Sequence, residues 1–336
     1  MRGLTSPHHS SIKGEIMTKK HKRINYNKWG YWFIAPFIIV YLLFSLIPLL
    51  STFYYSFFEY YYAQGGFIKV GPNFNGIDNY MKLFGQGLFF KYLGNTIIIW
   101  LMGFIPQIII SLLMALWFTS FRLKIKGKAF YKTIMYMPNL VMAAAFSMLF
   151  VQLFSNTGGF TTLLIENNII PETFSFVDEV WPTRTLIASM NFLMWFGNTT
   201  ILLMAGIMGI DDSLIESASV DGASSPQVFF KIVLPLLKPI LLFVFVTSLV
   251  GGVQMFDIPY VFTKGTGGPQ GSSQTVMMYI SGLLKTSRQY DLAGTASVIL
   301  FLITSIVSLS FFFVMNKDEI SEYREQRRLA KEMNRS

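Results

Sequence analysis

The stretch of sequence that decides the fold is YLGNTIIIWLMGFIPQIIISLLMALWF, Tyr92–Phe118, which contains no Asp, Glu, Lys or Arg. A helix needs about 20 predominantly apolar residues to cross the roughly 30 Å hydrocarbon layer of a bilayer, so this stretch predicts a membrane-spanning helix. Five further stretches have a similar character: 31–54, 133–154, 185–210, 239–260 (which passes Asp257 near its end) and 292–316. The sequence therefore predicts an all-α polytopic membrane protein with about six transmembrane helices.

The composition also favours a membrane protein and argues against several kinds of site. Of the 336 residues, 52% are apolar and 13% are charged, whereas a soluble domain carries about 25% charged residues. There is no cysteine, and the three histidines, His8, His9 and His21, all precede the first span. We therefore expect no disulfide, no metal site and no catalytic residues. No nucleophile–base pair indicates an enzyme.

Basic residues predict the orientation of the spans. With the N-terminus inside, segments 1–30, 119–132, 211–238 and 317–336 are cytoplasmic and hold 20 of the 27 Lys and Arg residues. Positive charge accumulates on cytoplasmic loops, so the chain is predicted to be N-in and C-in. A basic N-terminal tail at 1–30 and a charged C-terminal tail at 317–336 then flank a transmembrane domain at 31–316. The strongest single anchor of this orientation is the short loop that holds Arg122, Lys124, Lys126, Lys128 and Lys132.

The cytoplasmic loop 211–238 is predicted to form two short helices. Ser213, with Glu216 three residues later, has the pattern of a capping box that starts the first helix. Gly222 is expected to end that helix in a left-handed conformation. Ser225 is expected to cap the second helix, with Pro226 at its first position.

The same loop resembles a known family motif. The pattern is Glu216-x-Ala218-x-x-Asp221-Gly222-Ala223, followed by Gln227, Phe229, Ile232, Leu234, Pro235 and Pro239. It is similar to the EAA loop of binding-protein-dependent ABC importer permeases. The sequence departs from the family at Ser217, where alanine is usual, and this is an exchange of one small residue for another.

The resemblance covers about residues 30 to 316 and points to the carbohydrate branch of that family. The segments Gly76-Ile77-Asp78-Asn79-Tyr80 and Asn95-Thr96 are similar to that branch's first external loop and second-span entry. Phe256-Asp257-Ile258 is similar to its exit from the fifth span. The pattern is that of the maltose and glycerol-phosphate transporter permeases, in the first of the two permease types.

This resemblance implies a function and a set of partners. The chain would be a permease subunit of an ATP-driven importer for a sugar or oligosaccharide and would form half of the translocation pore in the inner (cytoplasmic) membrane. Glu216, Ala218, Asp221, Gly222 and Ala223 would belong to the coupling helix that contacts the ATPase. The implied partners are a second homologous permease, two ATP-binding subunits, an extracellular or periplasmic solute-binding protein and the carbohydrate. Because a partner subunit would bind ATP, no cofactor is expected on this chain, and no nucleic acid is implied. Segment 257–290 is similar to a periplasm-facing loop and short helix that engage the binding protein.

Other classes of protein remain as alternatives. The glycine-rich run 265–271 lacks the Gly-Lys-Ser/Thr of a phosphate-binding loop, so the chain is not expected to hydrolyse ATP itself. The main alternative is an ion-coupled secondary transporter of a polar solute. Such transporters place ionisable groups near the middle of the membrane, and the predicted spans lack them. A membrane scaffold is a third interpretation, although a scaffold has no need of the helical cytoplasmic loop.

Amide and aromatic side chains inside the spans are the candidates for contact with a sugar. Asn191, Trp195 and Asn198 are spaced four and three residues apart and therefore share one helical face. By position, the resemblance assigns a substrate path to Asn139, Asn191, Trp195, Asn198, Gly251 and Gln254. The competing interpretation is that the amides tie helices together, at about 0.6 kcal/mol each in membranes.

Overall fold

The computed structural model describes residues 27–120 and 126–333. Most of the predicted basic tail, the three histidines, Arg122 and Lys124 therefore lie outside the described residues. By density of contacts the chain separates after Leu50. The described part of the first unit consists of the beginning of one long apolar helix, and the second unit holds the rest.

Six helical segments in the described chain are long and apolar enough to cross a membrane. They are Trp29–Tyr55, Leu88–Thr119, Ala143–Glu166, Val180–Met208, Lys238–Phe262 and Tyr290–Met315. The predicted all-α class with six membrane-spanning segments is thereby confirmed.

The first elements of the described chain are helices α1 and α2, strands β1 and β2, and helix α3. Helix α1 (Asn27–Tyr41) continues through a π-helical turn (Leu42–Leu46) into α2 (Ile47–Tyr55). Strands β1 (Phe58–Ala63) and β2 (Ile68–Phe74) form an antiparallel hairpin, and α3 (Asp78–Gly85) follows it.

The remaining elements include the longest helices. Their bounds are α4 (Leu88–Thr119), α5 (Lys128–Tyr136), α6 (Ala143–Phe154), α7 (Gly159–Glu166), α8 (Val180–Met208), α9 (Asp212–Val220), α10 (Ser225–Val228), α11 (Leu234–Leu236), α12 (Lys238–Val253), α13 (Asp257–Phe262), α14 (Val276–Lys285), α15 (Tyr290–Met315) and α16 (Lys317–Met333).

The core of the second unit follows the packed pair α4 and α8. Three apolar clusters occur in order along α4, at Leu93, Ile99 and Ala115, and α8 contributes to the second and third. The first cluster joins α4 to α14 and α15. The second joins α4 and α8 to the region around α13, and the third joins both helices to the loop that contains α9 to α11. The α4–α8 pair therefore connects the two ends of the unit.

The β-hairpin was not predicted from the sequence. It lies in the first predicted external loop, where β1 pairs Phe58 with Phe74 and Tyr61 with Val70. Gly71 has φ +82°, and a Cβ there would overlap the Glu59 carbonyl oxygen. This position therefore requires glycine.

Two of the predicted spans are interrupted. The stretch 133–154 contains the end of α5, a 3₁₀ turn (Met137–Leu140) and α6. The stretch 239–260 stops being helical after Val253 and resumes at Asp257. Pro259 explains the second break, because it has no N–H to donate to the Met255 carbonyl four residues earlier.

The helix caps of the loop 211–238 differ from the predicted ones. Asp211, not Ser213, caps α9, and its carboxylate accepts a hydrogen bond from the Ser213 N–H at 3.0 Å. Ser224, not Ser225, caps α10, in a capping box with Gln227. Adjacent Asp and Ser residues are equally good caps, so sequence alone did not fix the first turn. Gly222 has φ +80°, as predicted.

Candidate functional site

A cavity of about 260 Å³ lies between α4, α8 and α12. Its walls combine aromatic rings with amides and hydroxyls, among them Trp100, Phe104, Gln107, Asn191, Trp195, Asn198, Thr247 and Ser248. None of the described residues that line it carries a formal charge. The cavity therefore offers hydrogen bonds and ring faces without an ionic group.

Helix α8 brings three predicted residues into this cavity. Asn191, Trp195 and Asn198 all line it, as their spacing on one helical face requires. The Trp195 side chain is 48% exposed, so its ring is open to a ligand. Gly251 of α12 lines the opposite wall.

The amides near the cavity differ in what they bond. Asn191 Nδ2 donates to the Ile187 carbonyl at 3.0 Å and to Met255 Sδ at 3.3 Å. Asn139 Nδ2 donates to the Met194 carbonyl at 3.1 Å and ties the turn after α5 to α8. Asn198 has no hydrogen-bond partner for its side chain within the described ranges and is the amide most available to a ligand.

The predicted path residue Gln254 lies elsewhere. It lines a second, open cavity of about 900 Å³ beside α15, together with Ser297, Thr304 and Ser308. The structure therefore groups four of the six predicted residues in one cavity and separates Asn139 and Gln254 from them. The break after Val253 explains the placement of Gln254, since it follows the last residue of α12.

Trp100 was not identified from the sequence, although it forms one wall of the first cavity. Its Nε1 donates to Ser248 Oγ at 3.1 Å, and its ring stacks on Phe104 with centroids 5.2 Å apart. The ring packs directly against Gly252, where a Cβ would overlap the indole. Gly251 in the same helix faces open space.

The loop 211–238 presents two different faces. Glu216, Asp221 and Gly222 are exposed, whereas Ala218 and Ala223 are half-buried against the third apolar cluster. The exposed face also carries a large apolar side chain, because Val220 is 88% exposed. The outward face of the loop therefore combines acidic side chains with an exposed apolar one.

The cap of α9 depends on an ionised carboxylate. The hydrogen bond from the Ser213 backbone holds the pKa of Asp211 below its ordinary value of 3.8. A depressed pKa means that this stabilisation is present above pH 3.8 and is lost as the pH falls through the lowered value. The cap is therefore complete at neutral pH.

The guanidinium of Arg184 is buried near the N-terminal ends of α4 and α8, away from the loop 211–238. The sequence analysis did not identify this residue. Arg184 is 9% exposed, and its Nε and Nη2 donate to the Ser272 carbonyl at 3.0 and 2.9 Å. Its Nη2 also donates to Asn95 Oδ1 at 2.7 Å. Asn95 Nδ2 in turn donates to the carbonyls of Gly271 and Gln274 at 3.0 and 3.2 Å. We call residues 264–275 the clamped segment.

Comparison with known proteins gives consistent matches. The family model described as "Binding-protein-dependent transport system inner membrane component" matches residues 107–317. The chain is 30% identical to the lactose transport system permease protein LacF of Rhizobium radiobacter, with 86% of this chain and 94% of that protein covered. It is 29% identical to the multiple sugar-binding transport system permease protein MsmF of Streptococcus mutans, with 87% and 97% covered.

A solved structure shares the fold. It belongs to a bacterial ABC transporter involved in the import of the acidic polysaccharide alginate. The TM-score is 0.68 at 21% identity, with 87% of this chain and 96% of that chain covered. A second structure of a bacterial alginate ABC transporter, in complex with an alginate pentasaccharide-bound periplasmic protein, has a TM-score of 0.64 at 22% identity and covers 84% and 92% of the two chains.

Proposed function

The chain belongs to the family of binding-protein-dependent transport system inner membrane components, and we propose that it is a permease subunit of an ATP-driven carbohydrate importer. It is a multi-pass protein of the cell membrane. Its relatives are transport permeases for sugars, not enzymes. Within the importer, this chain forms half of the translocation pore.

The observation that carries the proposal is the chemistry of the cavity between α4, α8 and α12. Sugars present hydroxyl groups that bond amides and hydroxyls, and ring faces that pack on aromatic side chains. The cavity supplies both, with Asn198 unpartnered and Trp195 exposed beside it. Because the Asn198 amide is half-buried and bonds no other side chain or carbonyl among the described residues, it is free to bond a sugar hydroxyl that enters the cavity.

The other half of the pore comes from a partner. The wide cavity around Gln254 and α15 is open, and its mostly apolar lining includes the hydroxyls of Ser297, Thr304 and Ser308. A second homologous permease placed here would enclose the path, and Gln254 would then face the cargo or the partner. Two ATP-binding subunits and a solute-binding protein complete the assembly, and ATP binds to the partner subunits, so this chain needs no cofactor.

The coupling site is the exposed face of the loop 211–238. Glu216, Asp221 and Gly222 lie outward while Ala218 and Ala223 pack on the ends of α4 and α8. A displacement of the outward face would therefore move α4 and α8, the two helices that also line the cavity. Rigid-body movements of this kind underlie alternating access. We propose that the loop and both termini lie in the cytoplasm, which the distribution of Lys and Arg residues supports.

The alternative of an ion-coupled secondary transporter has less support. The Asp, Glu, Lys and Arg residues inside the six segments are Lys91, Glu166, Arg184, Lys238, Asp257 and Asp291, and each lies within five positions of a segment end. A proton or sodium path needs such groups near the membrane centre. The cavity offers a neutral polar lining instead.

A single introduced thiol tests the proposed cargo. In this cysteine-free chain, Trp195→Cys should react with a small polar thiol reagent, and transported sugars should slow that reaction. Asn139→Cys is the control, since Asn139 lies outside the cavity and its labelling should not depend on sugar. If no sugar protects position 195 in any nucleotide state, the cavity does not hold the cargo.

A further inference from the structure

Asn95 and Arg184 hold the clamped segment almost entirely through its backbone carbonyls. We propose that these two residues are positioning residues that fix segment 264–275 on the pore helices, so that a solute-binding protein touching this segment acts on the cavity. The inference rests on the proposed function. It assigns a task to a buried pair that takes no part in the cavity itself.

The chemistry of Arg184 is unusual for a purely structural residue. A buried charge is costly unless it is paired and hydrogen-bonded, and no carboxylate pairs with Arg184 in the described part of the chain. Its partners are the Ser272 carbonyl and the Asn95 amide oxygen, and its guanidinium also lies 5.3 Å from the Trp181 ring centroid. If the segment lifted, Arg184 would lose its Ser272 bonds at once. The cation and the segment therefore depend on each other.

Backbone hydrogen bonds within the clamped segment, such as that from the Ser273 N–H to the Gly267 carbonyl at 2.8 Å, curl it, and polar side chains of α4 and α8 attach the curled segment to these helices. Gly267, Gly268 and Gly271 all have φ between +65° and +77°, which curls the backbone and exposes its carbonyls to Asn95 and Arg184. The hydroxyls of Ser272 and Ser273 are buried without a hydrogen-bond partner among the described residues. These two hydroxyls therefore do not attach the segment to the pore helices. The bonds from Asn95 and Arg184 do so, together with a longer one from Lys91 Nζ to the Gln270 carbonyl at 3.4 Å.

Three connections lead from the segment to the cavity. Asn95 lies five residues before Trp100 on α4, about 7.5 Å along the helix axis, and Arg184 lies seven residues before Asn191 on α8, about 10 Å. The third connection passes through Met255, whose carbonyl accepts from Thr275 Oγ1 at 2.9 Å while its sulfur accepts from Asn191. A displacement of the segment would therefore also displace Trp100 on α4 and Asn191 on α8.

The first experiment reports on the clamp without requiring transport. Ser273 is fully buried with an unpartnered hydroxyl, so Ser273→Cys is a near-isosteric probe in a chain without other thiols. With the clamp intact, the thiol should be protected. Arg184→Gln, or independently Asn95→Ser, should raise its labelling rate about ten-fold or more, because hydrogen bonds to the carbonyls of the segment are lost, and those from Arg184 are charge-assisted. Arg288→Gln is the matched control, since Arg288 is exposed and its guanidinium donates to the Gly66 carbonyl beside the hairpin turn, away from the clamped segment.

The second experiment separates positioning from simple support. In the complete transporter in liposomes, the variants should lose most of the ATP hydrolysis that the sugar-loaded binding protein stimulates, while hydrolysis without binding protein stays within about two-fold. Arg184→Lys, which keeps the charge with fewer donors, should recover part of the stimulation. Equal loss of basal and stimulated hydrolysis, or a thiol at 273 that stays protected in both variants, would overturn the inference. If the unmodified transporter moves no sugar, the proposed function fails instead, and the labelling result still decides whether the clamp exists.

Discussion

Three asparagines near the cavity have the same side chain and different tasks. Asn139 donates to the Met194 carbonyl on another element, Asn191 donates within its own helix and to Met255, and Asn198 bonds no described residue. Because an amide that already ties two helices has a donor occupied, it contributes less to a passing ligand. We therefore rank Asn198 above Asn191, and Asn191 above Asn139, as contacts for the cargo.

This ranking gives a paired test at the residue scale. Asn198→Ala should leave the midpoint of thermal unfolding unchanged and raise the KM for sugar about five-fold or more, since one hydrogen bond to the cargo is worth about 1 kcal/mol. Asn139→Ala should do the reverse, lowering stability by about 0.6 kcal/mol with little change in KM. Thermal unfolding of the purified complex and uptake kinetics distinguish the two. A loss of stability in Asn198→Ala would show that this amide is structural.

Two adjacent glycines in α12 provide a second test at the same scale. Gly252→Ala should displace Trp100 from its contact with Ser248, and overpacking of this kind costs about 1–3 kcal/mol. Gly251→Ala adds a methyl group in open space and should be neutral or slightly stabilising, because alanine favours a helix over glycine by up to about 1 kcal/mol. Unfolding midpoints and tryptophan emission should therefore change in the first variant alone. Equal behaviour of the two would refute the packing assigned to Trp100.

At the scale of the elements, the loop 211–238 separates an outward face from an inward one. Glu216→Arg reverses an exposed charge and should abolish uptake while the protein stays in the membrane at normal levels. Gly222→Val should do likewise, because a side chain at φ +80° costs about 1–2 kcal/mol, whereas Gly222→Asn should keep most activity. Glu166→Arg is the control for charge reversal, since Glu166 is exposed at the end of α7 and is predicted on the other side of the membrane. Normal transport by both Glu216→Arg and Gly222→Val would contradict the coupling role.

The elements also show what sequence could and could not predict. Apolar stretches gave the six segments, because the bilayer fixes their length and polarity. The break before Asp257 and the β-hairpin were not predicted, since hydropathy does not register local hydrogen bonding. The spacing of residues on α8 placed Asn191 and its neighbours together because it depends on one helix. Arg184 was missed because the carbonyl that it binds lies 88 residues away in the chain.

At the scale of the whole molecule, the charged side chains lie away from the cavity between α4, α8 and α12. The net charge is +9, yet charged side chains inside the apolar segments lie only near their ends and the described lining of the cavity is neutral. An ion-driven carrier needs a titratable or ion-binding group on its path. In an ATP-driven importer the energy enters at the cytoplasmic loop, and the path needs only to recognise its cargo.

This separation predicts how transport responds to its energy source. In vesicles loaded internally with ATP, with binding protein and labelled sugar outside, uptake should continue when the proton and sodium gradients are collapsed. It should stop when ATP is replaced by a non-hydrolysable analogue, even if both gradients are maintained. Internal ATP must be measured throughout, because an uncoupler that depletes ATP would imitate ion coupling. The Glu216→Arg variant is the negative control, since its path is intact and its connection to the ATPase is lost. Uptake that ends with the gradients at constant ATP would identify an ion-coupled carrier and overturn the assignment of the loop 211–238 as the site of energy input.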